Sequence, residues 1–230
     1  MKARTKLAVL SLLLGLATAA SAVDKAELDN RIRAFTAKFE ALQQKPDKAI
    51  PVETLRKAHG IVLLDRSKAG FVFAFQGGSG VALVKNAESG QWSPAAWMAA
   101  NEASLGFQLG GQQSFVVLLL MTTNATRALI EANLEFGGEA RGTAGDTSSG
   151  AEGKIQSKPA SVLVYDDTKG LYGGAAVKAG ALAPDPEANR VYYDQFLTMQ
   201  EILFDRKVKP TEAVTGLITK FNEQSKLSKK

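Results

Sequence analysis

Few side chains in this sequence could carry acid–base or nucleophilic chemistry. The chain has a single histidine, His59, and no cysteine. Thiolate metal sites, cysteine nucleophiles, disulfides and lipid-modified cysteines are therefore excluded, as is a centre built from several histidines. A serine hydrolase needs a serine on a sharp turn beside a histidine base, and Ser79 in the run Gly77-Gly78-Ser79-Gly80 is the nearest candidate. Val81 stands where G-x-S-x-G requires its last glycine, so the run predicts a turn between strands rather than a catalytic site.

Phosphate-binding and carboxylate motifs are equally weak. The sequence has neither a G-x-x-x-x-G-K-[ST] run nor a complete G-x-G-x-x-G run. The polar loop 145–150 could offer amides to an anion, but such loops usually face water. Asp166 with Asp167, and Asp185 near Glu187, lie in turn-like contexts that favour a structural role. We therefore predict no metal, no cofactor and no catalytic residue.

A cluster of basic residues is more informative. If the short helix and the hairpin that follows it come together, these residues form one cationic patch suited to phosphate head groups. Each such charge is worth about 1 kcal/mol near an anionic surface. Scattered solvated charges are the alternative, and the spacing is equally compatible with them. The predicted head-group contacts are Arg56, Lys57, Arg66, Lys68 and Lys85, with His59 among them in sequence.

Two tryptophans, Trp92 and Trp97, could insert at a membrane interface beside this patch. Indole suits the boundary between water and lipid, although tryptophans are more often core residues than anchors.

The helices that would position these residues are predicted from apolar periodicity. Residues 24–44 form an amphipathic helix, with Asp24 and Glu27 as a capping box at its start. Its other face carries mixed charge, which favours packing on the domain's own core over lying on a membrane. Further helices are predicted at 51–59, 123–132, 193–204 and 211–221. The apolar positions of the first helix are Leu28, Ile32, Phe35, Phe39 and Leu42.

Alternating and continuous apolar runs predict a sheet between the terminal helices. Glycines recur inside these runs, which indicates a curved or tightly packed sheet. The expected class is α+β, a curved, mainly antiparallel, glycine-rich sheet that is barrel- or sandwich-like, with flanking N- and C-terminal helices. Turns are predicted at 86–90 and 166–170, and a polar loop at 142–153. The predicted strands are 61–64, 71–75, 81–84, 105–111, 114–121, 134–140, 162–165 and 171–182.

The N-terminal segment has the features of a secretory signal. Lys2, Arg4 and Lys6 precede an apolar stretch, and Ala20-Ser21-Ala22 matches a signal-peptidase site. The apolar stretch is short of the roughly 20 residues that a membrane anchor needs. We therefore expect a periplasmic or secreted protein that begins at Val23. Cleavage would reduce the net charge from +5 to +2. The sequence shows no basic stripe with interleaved aromatic residues, which a nucleic-acid-binding protein would be expected to have.

Several segments of residues 50–223 follow one another in an order that is typical of one family. They are Leu55 to Ile61, Lys68 to Phe71, Gly77 to Val81, Trp92 to Ala96, Gly106 to Gly110, Lys169 to Gly174, and Asn189 with Tyr192 and Tyr193. Together they resemble the SYLF domain family. The resemblance implies binding of anionic phospholipid, phosphoinositides in eukaryotic members, without catalysis. Some eukaryotic members also bind actin filaments, which an exported protein would not meet. The 145–150 loop lacks the proline and arginine that the family often has there.

The expected organisation is therefore a signal peptide (1–22), an N-terminal helix and linker (23–49), a SYLF-like lipid-binding domain (50–223) and a basic tail (224–230). The alternative function is an interaction with another envelope protein. In that case a helix-in-groove contact would depend on Leu28, Ile32 and Phe35, and lipid would be incidental.

Overall fold

The computed structural model describes residues 23–46, 48–70, 73–105, 110–130, 134–136, 161–169 and 180–226. The predicted signal peptide, the 142–153 loop, most of the 171–182 strand and the end of the basic tail lie outside these residues. The helices are α1 (Lys25–Gln43), α2 (Val52–Lys57), α3 (Thr123–Arg127) with a 3-10 turn (Ala128–Ile130), α4 (Pro186–Tyr193), α5 (Met199–Leu203) and α6 (Glu212–Lys226). The strands are β1 (Gly60–Gly70), β2 (Phe73–Val84), β3 (Ala96–Leu105), β4 (Gly110–Leu120), β5 (Leu134–Phe136), β6 (Val162–Lys169) and β7 (Gly180–Pro184).

The described strands form one antiparallel sheet in the order β5-β7-β3-β2-β1-β4-β6. β1 lies inside the sheet, paired along its whole length with β2 and with β4. Within the described residues no pairing joins the end strands β5 and β6, so the sheet is open there rather than a closed barrel. The predicted α+β class with an antiparallel sheet and terminal helices is confirmed.

Helices cover both faces of the sheet. Ile61 and Leu63 of β1 pack in a cluster with α1 and α6, whereas Val62 and Leu64 pack in a second cluster with α3 and α5. Successive side chains of a strand point to opposite faces, so a strand buried on both sides needs apolar residues at every position. The unbroken apolar run at the start of β1 therefore reflects a sheet covered on both sides.

Helix α1 forms where it was predicted, but with only the Asp24 half of the predicted capping box, because the Glu27 carboxylate accepts from Arg31 at 3.0 Å. Asp24 caps it, because its carboxylate accepts a hydrogen bond from the backbone N–H of Glu27 at 2.8 Å. All five predicted apolar positions are buried in the domain's own core. Phe39 packs edge-on against Phe221 of α6, with ring centroids 5.0 Å apart. The mixed-charge face thus correctly indicated a helix packed on the core.

The composition of the glycine run 77–80 predicted a turn, and this prediction is wrong. It lies in the middle of β2, where Gly78 and Gly80 pair with Arg66 and Leu64 of β1. A Cβ on Gly78 would lie 2.6 Å from the carbonyl oxygen of Asp65, and a Cβ on Gly80 would meet the carbonyl oxygen of Leu63 even more closely. Glycine is used here because the two strands approach each other closely.

Three other predictions need correction. β6 continues through Asp166 to Lys169, where a turn was predicted, because it pairs with β4 along this length. β3 covers 96–105, where no strand was predicted before residue 105. The helix expected at 193–204 is much shorter: α4 ends at Tyr193, where Asp194 takes a left-handed conformation (φ 53°), and only α5, which starts at a new cap on Thr198, lies within the predicted range.

Candidate functional site

Three of the predicted head-group residues meet at one corner of the domain. Arg56 and Lys57 form the exposed last turn of α2, and Lys85 follows the last residue of β2. The ammonium of Lys85 donates to the carbonyl oxygen of Arg56 at 3.3 Å. The backbone N–H of Lys85 donates to the carbonyl oxygen of His59 at 2.7 Å, which fixes this corner to the start of β1. We call Arg56, Lys57 and Lys85 the basic corner.

The other two predicted residues lie elsewhere, so the expectation of a single patch is wrong. Arg66 is six residues along β1 from Gly60, about 20 Å at ~3.4 Å per residue. Its side chain is buried, 6% exposed. Lys68 lies further along the same strand. The hairpin is long, and it carries these residues away from α2 instead of folding them back to it.

The two tryptophans have different environments. Trp92 is half-buried beside the basic corner, with the Lys85 ammonium 4.8 Å from its ring centroid and its indole N–H donating to Asn222 at 3.3 Å. Trp97 is fully buried, between Phe35 and Tyr192. Trp97 is therefore a core residue, and its predicted place at a membrane interface is wrong.

At the basic corner, Lys85 and Arg56 already have partners within the protein. Partial burial lowers the pKa of the Lys85 ammonium, which contacts a carbonyl and an aromatic ring. Arg56 pairs with Glu53 at 2.8 Å, but both side chains are more than half exposed and solvent screens such pairs.

A cavity of about 150 Å³ opens next to the basic corner. Four basic residues line it: His59, Lys85, Arg127 of α3, and Arg206 after α5. The Lys85 ammonium itself is directed to Trp92, which packs against Phe221 of α6 on the other face of the sheet. Arg206 holds a left-handed backbone conformation (φ 55°) and donates to the carbonyl oxygen of Gln91 at 2.8 Å. Sequence reasoning missed both arginines, because neither is near Lys85 in the chain and no motif connects them.

The enzymatic candidates do not form a site. Ser79 pairs with Asp65 on β1, whereas His59 precedes the start of that strand. The two residues are therefore separated by roughly 20 Å of strand, too far for a serine–histidine pair. Among the described residues, no group of histidine and carboxylate side chains is arranged to hold a metal ion.

The carboxylates have structural partners. Asp185 accepts from the backbone N–H of Ala188 at 2.9 Å and so caps α4. Asp167 accepts from Lys45 at 2.6 Å and from Lys48 at 3.3 Å, which ties β6 to the segment after α1.

The face of α1 that was considered for a partner groove is not available. Leu28, Ile32 and Phe35 are at most 2% exposed, because they pack inside the domain. Within the described ranges, no helix combines the length and apolar content that crossing a bilayer requires.

Comparison with known proteins identifies the family. The model described as "Ysc84: Las17-binding protein actin regulator" matches residues 101–224. "SH3 domain-containing YSC84-like protein 1" is 32% identical in Bos taurus and 31% in Homo sapiens, over 73% of this chain and 50% and 49% of those proteins. "LAS seventeen-binding protein 3" of Saccharomyces cerevisiae is 32% identical over 74% of this chain and 38% of its own length.

The chain thus spans about half, or less, of the curated relatives it matches. No solved structure matches it. The family model alone covers more than half of the sequence, and it includes β4, α4, α5 and α6 up to residue 224. The chain belongs to the Ysc84 family, the family of the SYLF domain.

Proposed function

We propose that this protein is an exported, non-catalytic domain that binds the surface of anionic phospholipid membranes through its basic corner. The observation that carries the proposal is the convergence of Arg56, Lys57 and Lys85, held by the contact of the Lys85 ammonium with the Arg56 carbonyl. These residues come from two elements that are distant in sequence, and the contact brings the end of α2 beside the end of β2.

The expected strength is modest and sensitive to salt. Three cations near an anionic surface contribute about 1 kcal/mol each, and the contribution falls beyond a Debye length of about 8 Å at physiological salt. Trp92 supports the same corner, because it lies under the Lys85 ammonium and is partly exposed. Binding of this kind is peripheral and reversible.

Sedimentation with vesicles tests the proposal. The protein is purified after expression of its complete sequence and mixed with phosphatidylcholine vesicles, with and without phosphatidylglycerol, at low and physiological salt. We expect binding only to the anionic vesicles, weaker at the higher salt. The double variant Arg56→Glu/Lys57→Glu should abolish it.

The matched control is Lys25→Glu/Arg33→Glu, which changes net charge equally on exposed positions of α1. Asp29, one turn after Lys25, contacts Thr211 at the start of α6, whereas Trp92 at the basic corner contacts Phe221. Ten residues of helix separate those two contacts, about 15 Å. Equal loss in both double variants, or no binding to either vesicle, would overturn the proposal.

Export is part of the proposal and has its own test. Intact mass of the purified protein and cell fractionation should give a chain that starts at Val23, outside the cytoplasm. A full-length mass in the cytoplasmic fraction would contradict export and leave the vesicle result unaffected.

Binding of a protein partner is the second candidate function. The family description, a Las17-binding actin regulator, favours it, and among the residues that the structure describes one apolar side chain is strongly exposed. Phe196 is 88% exposed after α4, with the Arg190 guanidinium 5.7 Å from its ring centroid. A photo-crosslinker at Phe196 should capture a defined partner in intact cells if this function holds, whereas one at exposed Glu88 should not.

A further inference from the structure

We infer that the cavity lined by His59, Lys85, Arg127 and Arg206 binds a phosphate group. The inference rests on the proposed function in so far as a lipid head group is one source of that phosphate. It goes further, because it names the recognised group and adds two arginines that lie outside the basic corner.

The composition of the cavity supports an anionic occupant. Four of its lining residues are basic, with the side chains of His59, Arg127 and Arg206 available to it, and none of the lining residues in the described part of the chain is aspartate or glutamate. Like charges gathered in one concavity repel each other, and a bound anion relieves that repulsion. The volume of about 150 Å³ is several times what one water molecule needs, and exposed Asn86 and Thr123 at the rim leave the cavity open to solvent.

The cations have capacity left to bind. Among the described residues, Arg127 takes part in no ion pair. Arg206 uses one N–H for the Gln91 carbonyl, which leaves other N–H groups of its guanidinium. Guanidinium groups bind phosphate oxygens through paired, charge-assisted hydrogen bonds.

The local backbone holds these cations in place. The N–H of Lys85 is bonded to the His59 carbonyl, and α3 is anchored by Thr126, whose methyl group packs where a Cβ of Gly60 would lie. The cavity is therefore already formed at this end of the sheet before any ligand binds.

Two sources can present the same chemistry, namely the exposed phosphate monoester of a lipid such as phosphatidate and a soluble phosphate. The test uses both. Titration calorimetry measures inorganic phosphate and glycerol 3-phosphate, with chloride and sulfate at matched ionic strength as controls. Sedimentation compares phosphatidylcholine vesicles that contain phosphatidate with those that contain phosphatidylglycerol, whose phosphate is a diester.

Arg127→Gln is the main variant, because Arg127 is exposed and its replacement leaves the Gln91 contact intact. We expect it to weaken phosphate and phosphatidate binding about tenfold, the loss of one charge-assisted contact. Arg127→Lys should restore part of the binding. Arg33→Gln, an exposed arginine on α1, is the matched control and should bind as the unmodified protein does. Thermal melts show whether each variant is folded.

The outcomes separate this inference from the proposed function. If the unmodified protein binds phosphatidylglycerol and phosphatidate equally, and Arg127→Gln binds both unchanged, the cavity inference is overturned while surface binding stands. If phosphate binds and Arg127→Gln weakens it, but no vesicle binds, the cavity stands and the lipid function fails. No binding of any phosphate or vesicle overturns both.

Discussion

The side-chain amide of Asn189 makes the two backbone hydrogen bonds of Trp97 that a neighbouring strand would otherwise make. Its carbonyl oxygen accepts from the backbone N–H of Trp97 at 2.8 Å, and its amide donates to the backbone carbonyl of Trp97 at 3.2 Å. Both residues are buried, at 1% and 0% exposed. Asp185 donates its backbone N–H to the same carbonyl at 3.0 Å, so the start of α4 is joined to β3 where β7 ends. The helix is thereby held against the sheet through backbone atoms.

Replacing Asn189 should therefore be costly. Asn189→Ala leaves the buried N–H of Trp97 without its partner, and an unsatisfied buried group costs about 1 to 3 kcal/mol. Urea unfolding should show the free energy of unfolding lowered by this amount. Asn124→Ala, on an exposed position of α3, is the control and should change it by less than about 0.5 kcal/mol. Equal effects of the two substitutions would contradict the role of Asn189.

The glycines of β2 give a second prediction. Gly78→Ala places a Cβ 2.6 Å from the Asp65 carbonyl oxygen, so the paired strands must separate locally. Overpacking of this kind costs about 1 to 3 kcal/mol. Gly216→Ala on α6 is the control, because a Cβ there meets nothing within 4 Å. It should stabilise the protein by about 1 kcal/mol, as alanine does in a helix. Chemical denaturation of both variants measures the contrast, and the same sign for both would refute it.

Acid should weaken the link between β6 and the segment after α1. Burial acts to raise the pKa of the Asp167 carboxyl, but hydrogen bonds and charges from Lys45 and Lys48 outweigh it, and the net shift is below the ordinary 3.8. A lowered folded pKa stabilises the protein above the unfolded value, and this contribution is lost as pH falls through the folded pKa.

Asp167→Asn should therefore be less stable than the unmodified protein at neutral pH, and the difference should shrink as pH falls below 3.8. Thermal melts across the acid range follow the difference. Glu88→Gln removes an exposed carboxylate and should give no such pattern. A difference between Asp167→Asn and the unmodified protein that persists unchanged into strong acid would rule out the ion pairs as its cause.

The N-terminal cap of α5 should also be weakened by acid, because it includes the Glu201 carboxylate. The pKa of Glu201 is lowered to about 2 by the hydrogen bond from Lys207, then by those from the backbone and hydroxyl of Thr198. Its stabilising contribution is complete above the ordinary 4.5 and disappears towards pH 2. Glu201→Gln should thus lower the melting temperature at neutral pH and have little effect near pH 2. A neutral-pH melt identical to that of the unmodified protein would contradict it.

The sequence predicted the secondary structure correctly where it depends only on residues that are close together in the chain. The spacing of Leu28, Ile32, Phe35, Phe39 and Leu42 defines one face of a helix, and that face is buried. The turn at 86–90 was also predicted, and Gly90 adopts the positive φ (68°) that favours glycine. The order of the short motifs along the chain likewise indicated the family. These features depend on neighbouring residues in the chain, which sequence displays directly.

Pairing between distant segments was decided by the tertiary structure. A glycine run is compatible with a turn or a tight strand crossing, and only the backbone of β1 beside Gly78 selects the strand. The same holds for Asp167, where pairing with β4 overrides a turn-like composition. Arg127 and Arg206 join Lys85 only because the sheet end, α3 and the segment after α5 meet there.

Sequence alone determined the family, the class and the amphipathic helices. The fold decided which charges share a surface, because that depends on long-range contacts that no local pattern encodes.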